Sequence, residues 1–371
     1  MSTMMAALNA RATALGVPLS VHLDLTYRCN ERCEHCYLDH DDHGEMTYAE
    51  ISSLLDELAG AGALFLTLSG GEALLRPDFV AIVERARALG FCVRLKTNAV
   101  LVTPDIAAML RTLGIHEVQV SVYSHRDGVH DAITKVPGSL RRTLAGIGAM
   151  RSAGLRVVIA NVLMRANVAD YAGVRSLAAE LGVKCTIDPT VTPAMDGDRS
   201  LLRLGIDQET LRSVFEDQEL ADPEEADCGA PLEDADDLGD ALPCSAGHSA
   251  CYVSPYGDVF PCVQFPLPTG NVRTQKFTDI WRGSAAMNEV RSIRVADLPT
   301  CSQCAHAGAC TRCPGLAWLE GSMRGPSQLD CAKSFAKTGV PTAAMLAKTP
   351  VAVAPDAFIP IDRLRARTAG L

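Results

Sequence analysis

The sequence predicts an α/β protein: a partial (β/α)6 TIM-like barrel followed by a small cysteine-rich domain with a β-hairpin. Three observations carry that expectation. Apolar strand-like runs alternate with helical stretches from Val21 to Asp188. After Phe215 the chain changes to short segments broken by Gly, Pro and Cys. Ten of the 14 cysteines fall into two ordered groups, one near each end.

The first strand, Val21 to Leu25, runs directly into the first cysteine loop. A helix over Tyr48 to Ala61 and a strand over Leu64 to Leu68 follow, then a helix over Asp78 to Leu89 and a strand over Cys92 to Lys96. Pro104 to Leu113 reads as a helix and Glu117 to Val122 as a strand. Ser139 to Ala153 with Val157 to Val162, and Tyr171 to Leu181 with Lys184 to Asp188, complete the alternation. Taken as nearly continuous apolar runs, these strands imply a parallel sheet covered by helices. Functional groups are then expected on loops after strands.

Composition sets the remaining boundaries. Residues 1–19 precede the barrel at 20–216, residues 217–240 form an acidic linker or lid, 241–335 the cysteine-rich domain and 336–371 a tail. A hydrophobic content of 48% excludes a mainly disordered chain. The net charge of -10 argues against a nucleic-acid partner. No apolar run approaches the ~20 residues of a membrane span. Met1 to Val21 lacks the pattern of a signal peptide, so a cytoplasmic location is expected.

The upstream group is Cys29-x3-Cys33-x2-Cys36. Three thiolates can hold three irons of a [4Fe–4S] cube, leaving the fourth iron open to a small ligand with amino and carboxylate groups. A structural zinc completed by His35, His40 or His43 is the alternative. The run Cys29-Asn30-Glu31-Arg32-Cys33-Glu34-His35-Cys36 after a first strand resembles the radical S-adenosylmethionine superfamily, over roughly residues 20 to 215. Thr67, Ser69, Gly70, Gly71 and Glu72 match the family's Gly-Gly-Glu region, which implies contacts to the methionine amino group. The resemblance also implies Tyr37 beside the adenine, Thr97 and Asn98 at the next strand end, and Ser121 near the methionine carboxylate or ribose. Asn161 is implied as a further ribose contact, and Lys135, which follows His130-Asp131, is a candidate partner of the cosubstrate carboxylate. Polar strand-end or surface roles are the plain alternatives for these last residues. His22, Asp24 and His125 lie at strand ends or following loops, where they could face substrate, without a spacing that assigns a role. The implied mechanism is one-electron cleavage of S-adenosylmethionine to methionine and a 5′-deoxyadenosyl radical, which takes a substrate hydrogen atom. The barrel then supplies orientation and solvent exclusion.

Downstream, Cys244 and Cys262 precede Cys301-x2-Cys304-x5-Cys310-x2-Cys313 and Cys331. This pattern resembles the SPASM extension of the same superfamily, roughly residues 240 to 335, which implies two auxiliary [4Fe–4S] clusters and three in all. The family usually has three residues between its last two clustered cysteines; this chain has two. By the resemblance, Cys244, Cys262 and Cys313 ligate the first auxiliary cluster, and Cys301, Cys304, Cys310 and Cys331 the second. Cys228, Cys251 or no cysteine completes the first; Cys92 and Cys185 read as buried structural thiols. Tyr252 to Cys262 is expected to form the hairpin, turning at Gly257.

Auxiliary clusters favour net oxidation, with a one-electron donor such as flavodoxin or ferredoxin as partner. The resemblance implies crosslinking or oxidation of side chains in a ribosomally made precursor peptide. Its alternative is a small molecule such as a porphyrin or aminoglycoside. About twenty residues precede the first strand, so no leader-recognition domain is expected there. A separate recognition protein would bring the peptide, or the substrate carries no leader.

Overall fold

The computed structural model describes residues 3–40, 42–217, 240–307 and 310–347. Nine strands form one sheet: β1 (Ser20–Thr26), β2 (Phe65–Gly70), β3 (Cys92–Thr97), β4 (Glu117–Ser121), β5 (Val157–Val162), β6 (Lys184–Asp188), β7 (Ala250–Val253), β8 (Asp258–Phe260) and β9 (Gly270–Asn271). Their order is β6-β5-β4-β3-β2-β1-β7-β8-β9. The six barrel strands pair in parallel in sequence order, each crossing over through helix. This is the partial (β/α)6 arrangement expected. The hairpin also forms, with β7 antiparallel to β8 and Gly257 at positive φ in the turn. β7 additionally pairs in parallel with β1, so the cysteine-rich region continues the barrel sheet. Among the described residues, no helix is long and apolar enough to cross a membrane.

The strands are not apolar on both faces, as their expected reading had them. In β1 to β4, Val21, Leu23, Leu25, Leu66, Leu68, Val93, Leu95, Val118 and Val120 are fully buried in the main core with the helices. Their neighbours His22, Ser69, Lys96, Gln119 and Ser121 line a cavity on the opposite face. Period-two alternation therefore separates a packed outer layer from a polar interior.

Helix starts are locally encoded. Thr47 and Glu50 close a capping box on the Tyr48–Gly60 helix. Thr103 caps the Pro104–Thr112 helix, with Pro104 at its first turn. A helix over Asp127–Thr134, absent from the sequence-based expectation, ends against the cysteine loop. Arg32 N–H donates to Thr134 O at 3.0 Å and Glu34 N–H to Ile133 O at 2.9 Å.

Candidate active site

The interior holds a cavity of about 310 Å³ at the C-terminal ends of the strands. Cys29, Cys33 and Cys36 all reach it, together with Tyr37, Ser69, Gly70, Gly71, Thr97, Asn98 and Ser121. Loop residues after β6 and Val263, Gln264, Pro266 and Leu319 from the downstream region complete the wall. Both halves of the chain thus build one chamber.

The Gly-Gly-Glu segment is bound to the strand that feeds the cysteine loop. Gly71 N–H donates to Thr26 O at 2.8 Å and Glu72 N–H to Arg28 O at 2.9 Å. A Cβ on Gly70 would collide with Thr26 O, and one on Gly71 with the Tyr27 and Arg28 carbonyls. The glycines therefore permit a close approach of chain to chain, as well as lining the cavity. Glu72 is fully buried and does not reach the cavity wall. Its Oε1 accepts from Leu74 N–H at 3.1 Å. Its Oε2 accepts from the Thr97 hydroxyl at 2.8 Å and Asn98 N–H at 2.9 Å. Burial raises its pKa while these bonds oppose the rise. Asn98 Nδ2 in turn donates to Asn30 Oδ1 at 2.7 Å inside the cysteine loop. Glu72 thus braces the loop through Asn98.

Three residues expected at the cosubstrate do not line the cavity. Thr67 shares the inward face with Ser69 but is not among the residues lining the cavity. Asn161 points away from the wall formed by Ala160 and Val162, and its Nδ2 donates to Val122 O at 2.7 Å. Alternation along β5 turns it toward the helices. Lys135 takes a left-handed conformation at the helix end, pairs with Glu34 at 3.5 Å and is off the cavity. Cys228 lies outside the described residues.

Further residues reach the wall, of which the sequence reading assigned no role to Tyr123, His22 or Glu31. Tyr123 lines the cavity with its hydroxyl 4.0 Å from Cys33 Sγ. His22 also lines the cavity and meets buried Asp24 at 3.0 Å. Glu31, 2% exposed inside the cysteine loop, faces the cavity too. Burial pushes its carboxyl up to about 7, eased by a contact from the Cys33 thiol. His22 and Asp24, named from the sequence without a role, alternate with Val21, Leu23 and Leu25 along the first strand.

Do these residues fit iron–sulfur clusters? Burial, with nearby acidic groups, pushes the free Cys29 thiol up to about 12 and Cys36 to about 11, so these sulfurs need metal or donors to exist as thiolates. Six of the ten patterned sulfurs have a hydrogen-bond donor. Backbone N–H groups of Glu31 and Ala246 reach Cys29 and Cys244. Those of Ala343 and Leu316 reach Cys304 and Cys313. Side chains of Tyr123 and Ser334 serve Cys33 and Cys310. Hydrogen bonds to sulfur are how proteins stabilise and tune such clusters. Cys251 instead packs in the main apolar core.

Burial raises Cys331 to about 11, and the nearby Cys310, Cys301 and Cys304 add to the rise. Cys313 is raised to about 12 by burial and feels Cys262. Among the described residues, no three His, Cys, Asp or Glu side chains converge on one ion. Cube ligands each take a different iron, so convergence on one point is not their requirement.

The comparisons agree with this architecture. Residues 23–175 match the family model of the Radical SAM superfamily, and residues 244–305 that of an iron-sulfur cluster-binding domain, SPASM. The AdoMet-dependent heme synthase of Methanosarcina barkeri is 29% identical, over 81% of this chain and 92% of its own. The PqqA peptide cyclase of Xanthomonas campestris pv. campestris is 31% identical over 74% of this chain and 78% of its own. In fold, Streptococcus suis SuiB bound to precursor peptide SuiA aligns with a TM-score of 0.67 at 16% identity, covering 88% of this chain and 80% of that one. The chain belongs to the radical SAM superfamily, as an iron–sulfur enzyme carrying the SPASM extension.

Proposed function

We propose that this enzyme modifies side chains of a ribosomally made peptide by crosslinking or oxidation. The charge of the cavity wall carries the reading. Among the described wall residues, Lys96 is the sole Lys or Arg, while Gln119, Ser121, Thr190, Thr192 and Gln264 are neutral. A porphyrin bearing several carboxylates would call for a more cationic wall. A neutral peptide side chain would not. The PqqA peptide cyclase and the peptide-bound SuiB are relatives whose names carry peptide substrates, which agrees. The heme synthase favours the second reading, a small molecule, by its match over 92% of its length.

Cys29, Cys33 and Cys36 would hold the cluster at which S-adenosylmethionine is cleaved to supply a 5′-deoxyadenosyl radical. Tyr37, Ser69, Gly70, Gly71, Thr97, Asn98 and Ser121 would surround the cosubstrate. Cys244, Cys262 and Cys313 would hold a first auxiliary cluster, and Cys301, Cys304, Cys310 and Cys331 a second. A flavodoxin- or ferredoxin-type donor would supply electrons.

The test is 5′-deoxyadenosine formation by reduced, anaerobically reconstituted enzyme given host extract, with and without prior proteolysis. Stimulation lost on digestion, with the protease removed before assay, is expected. Stimulation that survives digestion would replace the peptide by a small molecule. Cys33→Ala should abolish formation while retaining the downstream iron.

A further inference from the structure

We propose that Glu31 supplies the carboxylate that faces the sulfonium of bound S-adenosylmethionine. The inference rests on the cavity being the cosubstrate site. Four carboxylates lie in or near that chamber, and their partners distinguish them. Glu72 accepts from three donors and stays off the wall. Asp24 is fully buried, bonded to His22 at 3.0 Å and to the Tyr252 hydroxyl at 2.9 Å, and is also off the wall. Asp188 reaches the wall but is exposed at the end of β6, where its Oδ1 accepts from Thr190 N–H.

Glu31 differs from all three. It is 2% exposed, lines the cavity, and its Oε1 has no hydrogen-bond partner. Its Oε2 meets only the Cys33 thiol, at 3.6 Å. The neighbouring cation is Arg142, an exposed residue whose guanidinium donates to Pro137 O. A thiolate bound to metal carries no S–H, so cluster loading removes the donor to Oε2. In the loaded loop both Glu31 oxygens, on the cavity wall, would lack a protein donor and be open to a cation in the chamber.

S-adenosylmethionine brings such a cation. An amino group that ligates iron does so through its lone pair and is uncharged. The sulfonium remains the positive centre. Glu31 lies between Cys29 and Cys33, on the wall that would flank it.

The experiment measures anaerobic binding to reconstituted enzyme by equilibrium dialysis. It compares S-adenosylmethionine with S-adenosylhomocysteine, which lacks the sulfonium charge. Glu31→Gln should weaken S-adenosylmethionine binding by roughly tenfold or more and leave S-adenosylhomocysteine within about twofold. Equal weakening of both ligands, or no weakening, would overturn the role. If the variant assembles less iron, Glu31→Asp and Glu31→Asn, matched in size and different in charge, carry the same comparison. Wild-type enzyme that binds neither ligand would overturn the cosubstrate site itself and this inference with it. Wild-type preference that survives in E31Q would overturn Glu31 alone.

Discussion

The Tyr252 hydroxyl donates a 2.9 Å hydrogen bond to Asp24 Oδ2, joining the first strand of the cysteine-rich region to the first strand of the barrel. Tyr252 OH also lies 2.7 Å from Tyr27 OH, and Asp24 Oδ1 meets His22 at 3.0 Å. Asp24 and Tyr252 are fully buried. The network therefore couples the seam between the two halves to a cavity-wall histidine. Removing one partner leaves a buried acceptor unsatisfied. Tyr252→Phe should cost about 1–3 kcal/mol. Thermal unfolding of the reconstituted protein should show a lower Tm. The Asp24→Asn, Tyr252→Phe double variant should lose less than the two single losses added. An unchanged Tm in Y252F would mean that water replaces the hydroxyl.

Gly71 offers a sharper test of the loop. Any Cβ there meets carbonyl oxygens of the chain entering the cysteine triplet, and backbone oxygens cannot swing aside as a side chain can. Gly71→Ala should displace Glu72 and with it the Asn98 brace on Asn30. Overpacking of this kind costs about 1–3 kcal/mol, and S-adenosylmethionine affinity should fall by roughly tenfold or more. Gly148→Ala, in a helix with open space around the added methyl, should bind as wild type does. Equal binding by both variants would show that the cosubstrate does not depend on this approach.

Much of the barrel was legible because its signals are local. The Pro104 helix start, the β1-to-cysteine junction and the six alternations each occupy a short window of sequence. The parallel sheet follows from connections long enough to hold a helix. What escaped was set at a distance. β7 meets β1 across more than 200 residues, and no periodicity announces that pairing. The role of Gly71 depends on Arg28, and that of Glu72 on Thr97 and Asn98. The strand-end position of Asn161 was weighed without its face, which turns from the wall that Ala160 and Val162 form. The same oversight hid the polar interior, although His22 and Asp24 interrupt Val21, Leu23 and Leu25 in plain alternation.

His130 predicts an acid limit to stability. Tyr123 N–H donates to its Nδ1 at 3.2 Å, which requires a lone pair there, and its Nε2 is buried without a partner. The folded protein therefore holds the ring neutral. Burial lowers its pKa from 6.5 to about 4, against the opposing pull of Asp131 and Asp127. Because the unfolded chain binds the proton more readily, stability is fully present above about pH 6.5 and falls as pH drops toward 4. The loss from this residue reaches on the order of 3 kcal/mol below that window. His248, lowered to about 4 by burial and then by Arg294 and Arg291, adds a loss of the same sign. Thermal unfolding of wild type and His130→Gln between pH 4 and 8 checks the share of His130. The glutamine amide oxygen can accept from Tyr123 N–H without titrating, so the variant should lose less stability than wild type on acidification. Parallel pH profiles for the two proteins would show that His130 is not held neutral by the fold.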